Sequence, residues 1–158
     1  MYYKTTYLSD ELDGFVEETE GSYGVTTCYF DGACYPTNPN GHIGWGFHVS
    51  NNVAMCGFIK KKKGNTNNIA EYLALYHLLM HLIERSGETI HILGDSKMVV
   101  MQMRGEWKIK EGSYVEYALR AKKLYNEVSS KNTLKITWIP REENIVADRL
   151  STLINTLN

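Results

Sequence analysis

GVTTCYFDGACYPTNPNGHIGWGFHVS, residues 24–50, decides the fold. Its first part is rich in β-branched and aromatic residues (Val25, Thr26, Thr27, Tyr29, Phe30) and runs into Asp31-Gly32. That composition predicts a strand over residues 24–31, followed by a glycine- and proline-containing loop over 32–41. Residues 42–50 and 52–60 predict two more strands, joined by a hairpin turn at Ser50-Asn51-Asn52. A basic turn at residues 60–64 closes this meander.

Downstream the periodicity changes. Leu73, Leu75, Leu78, Leu79 and Leu82 make a wide apolar face and predict a helix over residues 68–84. A short buried strand follows at 89–93, then a helix at 96–103 that breaks near Gly105. Ser113-Tyr114-Val115-Glu116 has capping-box spacing and predicts a helix opening there and running to about Val128. Residues 134–139 form another strand, stopped by Pro140, and residues 144–153 a last helix. The order βββαβααβα predicts an α/β fold: a mixed five-stranded sheet with helices on its faces. No repeat or low-complexity linker divides the chain, and 158 residues suit one domain. Residues 21–158 are therefore expected to form that domain.

Residues 1–20 show no clear periodicity and end in the acidic run Glu17-Glu18-Thr19-Glu20. They are expected to be an acidic arm with the composition of a partly disordered segment. Three roles stay open for it: shielding a basic surface, contacting a partner, or extending the sheet through residues 2–7. The arm also explains the overall charge of −1. It holds six acids and one lysine, a net of −5, while residues 21–158 hold sixteen basic and twelve acidic side chains, a net of +4. A polyanionic partner is thus compatible with the body of the protein.

Residues 1–10 have neither a basic start nor an apolar run, so no signal peptide is expected. The longest apolar stretch, residues 72–83, is too short to span a bilayer. Cys28, Cys34 and Cys56 are odd in number and lack CxxC spacing, which argues against a disulfide framework or zinc knuckle. The expected setting is cytoplasmic, with no membrane association and no obligate protein partner. Cys28 reads as a core residue. His77 and His81 share a helix face, but HLLMH lacks the glutamate of the HExxH zinc motif.

Four acids stand out against these elements. Asp31 and Asp95 end strand patterns, and Glu71 and Asp148 fall in the first turns of otherwise apolar helices. Ionised carboxylates rarely occupy such places unless paired or bound to metal. Gathered at one sheet edge they would repel each other, and two divalent cations would offset that charge. Such a pair of ions can activate water and stabilise the leaving oxygen of a phosphodiester. Each acid also has a purely structural alternative. Asp31 could be a turn former, Glu71 part of a capping box begun by Asn68, Asp95-Ser96 a cap, and Asp148 a solvated helix acid.

The flanking residues decide between these. YFDGACYPTNPNGHIGWGF, TNNIAEYLAL, LGDS and ENIVADRLS resemble, in order, the signature segments of ribonuclease H, type 1, over about residues 24–153. The resemblance implies the ribonuclease H-like fold and hydrolysis of the RNA strand of RNA–DNA hybrids, leaving 5′-phosphate and 3′-hydroxyl ends. It implies that Asp31, Glu71, Asp95 and Asp148 are catalytic carboxylates holding two Mg²⁺ or Mn²⁺ ions. It further implies that Cys34, Asn38, Asn67 and Asn68 read the hybrid's minor groove, and that Thr66 binds a phosphate of the DNA strand. The rival readings are a non-catalytic hybrid-binding module and a nuclease of the same fold that also cuts duplex RNA.

The chain departs from that family in two places. Many members carry a histidine in a flexible loop before the final acid, whereas here Pro140 leads directly to Arg141-Glu142-Glu143-Asn144. This matches a histidine-lacking prokaryotic subset and implies a lower rate or a different metal preference. Arg141 and Glu143 are the nearby charged substitutes, with nothing in the sequence to choose between them. The family's basic protrusion is also missing. Arg104, Trp107, Lys108 and Lys110 remain as a small basic and aromatic patch, with Trp107 either touching nucleic acid or closing the core. Lys97 stands where a neutral polar residue is usual. The run Lys60–Lys63 is expected to be solvated.

Overall fold

A computed structural model of the chain describes residues 2–7, 24–50 and 53–157. Along it run β1 (Tyr2–Tyr7), β2 (Val25–Tyr35), β3 (His42–Val49), β4 (Val53–Ile59), α1 (Asn67–Leu82), β5 (Thr89–Gly94), α2 (Lys97–Met103), α3 (Val115–Lys131), β6 (Thr133–Trp138) and α4 (Ile145–Leu157). A single 3-10 turn at Arg141–Glu143 joins β6 to α4. The five expected strands, β2 to β6, are all present. Tyr2–Tyr7 adds a sixth, which pairs antiparallel with β4 from Tyr2↔Ile59 to Tyr7↔Ala54. Of the roles open to the arm, sheet extension is therefore observed for these six residues. The acidic run at 17–20 lies outside the described residues, as do Asn51 and Asn52 of the expected hairpin turn.

The sheet order is β1-β4-β3-β2-β5-β6. The hairpin-linked strands are antiparallel, while β2, β5 and β6 run parallel through helical crossovers. Strand alternation divides the core between the two faces. Cys28, Phe30, Ile43, Trp45 and Phe47 pack with Leu75, Leu78, Leu79 and Leu82 of α1. Ala54 and Cys56 point the other way, onto Leu150 of α4. Each large apolar side chain buried this way contributes about 1.5–3 kcal/mol. His77 and His81 belong to the first face: His77 stacks 3.8 Å from Trp45, and His81 lies 5.7 Å from Phe47.

Three boundaries differ from expectation, each for a tertiary reason. β2 does not stop at Asp31, because residues 31–35 continue the ladder to β3 from Asp31↔Gly46 to Tyr35↔His42. α1 opens at Asn67 with Thr66 as its cap, the Thr66 hydroxyl accepting from Ile69 N–H at 3.2 Å. Glu71 therefore lies in the second turn, and Asn68 begins no capping box. Ser113 does not cap α3 either; Tyr114 precedes that helix without a side-chain cap. Its ring instead stacks on Tyr72, and its hydroxyl accepts from Lys110 N–H and Gln102 Nε2. Among the described residues no helix is long and apolar enough to cross a membrane.

Candidate active site

The ends of the parallel strands carry the acids. Asp31 lies where β2 leaves β5, one residue past the last pair, Phe30↔Gly94, and Asp95 directly follows β5. α1 crosses above Gly32 so closely that a Cβ there would fall 2.1 Å from the Ala70 carbonyl carbon. Only glycine admits this approach, which brings Glu71 to the sheet. Gly32 N–H then donates to Glu71 Oε2 at 3.2 Å.

Asp31, Glu71 and Asp95 each offer an oxygen within 4.8 Å of the others'. Asp31 and Glu71 are 4% and 5% exposed, so their mutual repulsion has little solvent to screen it. Burial, and then the charge of Asp95, push the Asp31 carboxyl up to about 8. Burial and the Asp31 charge drive Glu71 well above the usual carboxylate range, and burial raises Asp95 as well. This donor set of hard oxygens fits a divalent cation, whose charge would let all three ionise.

Asp148 is placed differently. It occupies the first turn of α4 and lines the same cleft, of about 280 Å³, but lies outside the tight trio. Arg141 reaches its Oδ1 at 3.3 Å. The Arg141 side chain is 77% exposed, so the pair contributes little to stability. The expected four-acid cluster is thus a close trio, Asp31 and Glu71 buried and Asp95 half-buried, with half-buried Asp148 beside it and tied to the short turn that lacks the histidine.

Three of the residues expected to bind substrate, Cys34, Asn38 and Asn67, form one hydrogen-bonded shelf beside the trio. Asn38 Oδ1 accepts from Asn67 N–H at 3.1 Å, and Asn67 Oδ1 accepts from Cys34 N–H at 3.3 Å. The Cys34 thiol turns inward and donates to the carbonyls of Thr37 and Asn65. What Cys34 offers the cleft is therefore backbone rather than sulfur. The Thr66 oxygen caps α1, leaving its O–H free to donate. Asn68 is exposed on the first turn of α1.

Two buried polar residues were missed in the sequence. Asn144, 1% exposed, donates from Nδ2 to Phe30 O at 2.9 Å, and its nearby amide favours the ionised form of Asp95. Ser151 donates to Asp148 O at 2.7 Å, and its hydroxyl lies 3.5 Å from Asp31 Oδ2. Both stand at helical spacing from Asp148, four residues before it and three after. That spacing in ENIVADRLS was the available signal.

The model of the reverse transcriptase-like family matches residues 29–153. The bifunctional protein Rv2228c of Mycobacterium tuberculosis is 36% identical over 86 residues, 54% of this chain and 23% of that protein. Ribonuclease HI of Halobacterium salinarum is 30% identical over 133 residues, 81% of this chain and 63% of that one. The chain thus spans about a quarter of the length of the first curated relatives it matches, and under two thirds of the halobacterial one. Among solved structures, LC11-RNase H1 in complex with an RNA/DNA hybrid superposes with a TM-score of 0.67 at 26% identity, over 84% of this chain and 99% of that one.

Proposed function

This chain belongs to the reverse transcriptase-like family, among the ribonucleases H of type 1, and from that premise we propose that it is an endoribonuclease hydrolysing the RNA strand of RNA–DNA hybrids. The observation that carries the reading is the meeting of Asp31, Glu71 and Asp95, from three separate elements, within 4.8 Å. A close trio of acids, two of them buried, has no structural use that would offset its repulsion, whereas a metal-dependent nuclease requires one.

In this reading Asp31, Glu71 and Asp95, with Asp148 beside them, hold two divalent cations, Mg²⁺ or Mn²⁺. When bound, the ions activate a water and stabilise the leaving oxygen of the phosphodiester. The chain's own residues do the rest. The shelf of Asn38, Asn67 and the Cys34 backbone, together with Asn68, reads the minor groove, where the 2′-hydroxyl separates RNA from DNA. Thr66 gives its free O–H to a DNA-strand phosphate. Asn144 ties the start of α4 to Phe30 O beside Asp31, and Ser151 lies behind the Asp31 carboxyl, so this end of α4 is held against the acids before substrate arrives. Arg141 holds Asp148 across the cleft mouth. Products with 5′-phosphate and 3′-hydroxyl ends follow from attack of water at phosphorus with departure of the 3′ oxygen. Residues 21–158 are the proposed catalytic unit, and residues 1–20 its acidic arm.

The deciding experiment is cleavage of a labelled RNA–DNA hybrid with Mg²⁺, Mn²⁺ or EDTA, beside an Asp31→Asn variant and a duplex RNA control. Metal-dependent cutting of the RNA strand in the hybrid, lost by at least a hundredfold in the variant, is the expected result (~3 kcal/mol or more of barrier). Tight hybrid binding without cutting in either metal would replace this reading with a non-catalytic module. Equal cutting of duplex RNA would widen the substrate.

A further inference from the structure

Trp107 is 45% exposed and joins neither apolar cluster, so it does not close the core. The segment that carries it, residues 104–112, is nonetheless fixed. Gly105, at φ +78°, turns the chain out of α2. Glu106 N–H and Trp107 N–H both return to Met101 O, at 3.0 and 3.2 Å. Ile109 packs against the core, which leaves Lys108 and Lys110 exposed on either side of it.

Two side chains from outside the segment hold its far half. Gln102, 4% exposed, donates from Nε2 to Lys108 O at 3.0 Å and to the Tyr114 hydroxyl at 3.3 Å. Its Oε1 accepts from the Tyr72 hydroxyl. The Tyr114 hydroxyl in turn accepts from Lys110 N–H at 3.3 Å, and its ring stacks on Tyr72. A buried amide is costly unless its donors and acceptor are met, and here each of them is.

What this network fixes is a stretch of exposed backbone bearing two cations. Among the described residues neither the Lys108 nor the Lys110 ammonium has an ion pair or hydrogen bond, whereas Arg104 is engaged by Glu106 at 3.4 Å. A lysine that is only solvated needs no such pinning of its backbone. The stretch also has a defined place relative to the acids. It is tied to Tyr72, the residue after Glu71, and to α2, which starts two residues after Asp95. The seven residues of α2 set it about 10 Å along from the trio. Phosphates advance by about 3.4 Å per step along a strand, so that reach spans roughly three base steps.

We propose that Gln102 and Tyr114 are positioning residues that hold Lys108 and Lys110 as a preformed ledge for backbone phosphates of the hybrid, about three base steps from the cut. This rests on the nuclease reading above and deepens it, by fixing where the duplex is gripped away from the chemistry. Phosphate contacts set register and carry no sequence information, as a general hybrid nuclease needs. Order in the free protein lowers the cost of binding, because the backbone of the ledge is not immobilised anew.

The test measures hybrid binding by fluorescence anisotropy in an Asp31→Asn background, over about 50 to 200 mM salt. The double variant Lys108→Gln, Lys110→Gln should make the slope of log Kd against log salt shallower by about two, one for each contact. Over that range it should lose roughly tenfold less affinity than its parent. One neutral methylphosphonate, moved along each strand in turn, then locates the contact. The hybrid for this scan is short, with a few ribonucleotides to fix its register, because the shelf reads the 2′-hydroxyl. At about three steps from the wild-type cut the methylphosphonate should weaken the parent and leave the double variant no weaker, since both changes remove the same contact. In Gln102→Met the charges remain but the ledge is no longer held, so no single position should stand out. Tyr114→Phe covers a Gln102→Met chain that fails to fold. It keeps the ring on Tyr72, removes the acceptor for Lys110 N–H, and should flatten the same profile.

An unchanged salt slope in the double lysine variant would overturn the ledge. A methylphosphonate profile that survived both Gln102→Met and Tyr114→Phe would mean that the network serves stability alone, and would overturn the positioning role. If the wild type gripped hybrid through this ledge yet cut nothing in Mg²⁺ or Mn²⁺, the catalytic reading would fail and the ledge would stand.

Discussion

Asp31 is the residue on which the chemistry and the stability of the site pull in opposite directions. Its carboxyl sits at about 8 in the folded chain, against 3.8 for the free side chain. Between those values the native state keeps a proton that the unfolded chain gives up. Stability from this group is therefore complete below about pH 4 and is lost as pH rises through about 8. In EDTA the melting temperature should fall across that window, and Asp31→Asn should flatten the fall. Millimolar Mg²⁺ should restore the melting temperature at pH 8 in the wild type and much less in the variant, because a cation that binds only the folded trio stabilises it by mass action. A wild-type melting curve insensitive to both pH and Mg²⁺ would count against a metal site. The four acids were legible in the sequence because each breaks an apolar pattern. Asn144 was not, because the carbonyl it grips belongs to Phe30, 114 residues away. Nor was the inward turn of the Cys34 thiol, which depends on the carbonyl of Asn65 in another loop.

At the scale of elements, the site depends on how closely two helices approach one sheet. Gly32 admits α1, and Gly44 and Gly46 of β3 admit α4. A Cβ on Gly44 would fall 1.7 Å from the Ser151 carbonyl oxygen, and one on Gly46 would fall 2.3 Å from Leu150 Cβ. Gly44→Ala must therefore move the backbone of α4, the helix that carries Asp148 and Ser151. The expected cost is about 1–3 kcal/mol of stability, read by chemical denaturation. Hybrid cleavage should fall in the same variant at temperatures where it remains folded. Unchanged cleavage in a measurably destabilised variant would show that α4 need not sit so close. Strands and helices themselves were readable from period and composition, but their ends less so. Residues 32–35 look like a loop locally and are a strand only because β3 lies alongside. Ser113 has the spacing of a cap, yet Tyr114 fixes the start of α3 through Tyr72 and Gln102, contacts that no local pattern announces.

Across the whole molecule, the N-terminal segment combines an edge strand with a block of charge. β1 covers β4, whose unpaired backbone groups would otherwise face solvent as a template for association. Residues 1–20 carry a net of −5 beside a body of +4. Removing them should then do two separable things. Loss of β1 should lower the melting temperature and promote self-association, measured by light scattering. Loss of the acids should tighten hybrid binding a few-fold at low ionic strength and hardly at all at 0.5 M salt, where the Debye length falls to about 4 Å. A second chain separates the two contributions: keeping residues 1–7 while changing the six acids at 10–20 to their amides should alter binding but not melting. If that chain bound hybrid with the wild-type salt dependence, the arm would act through the sheet alone. Its charge would then have to be read as serving a partner other than nucleic acid.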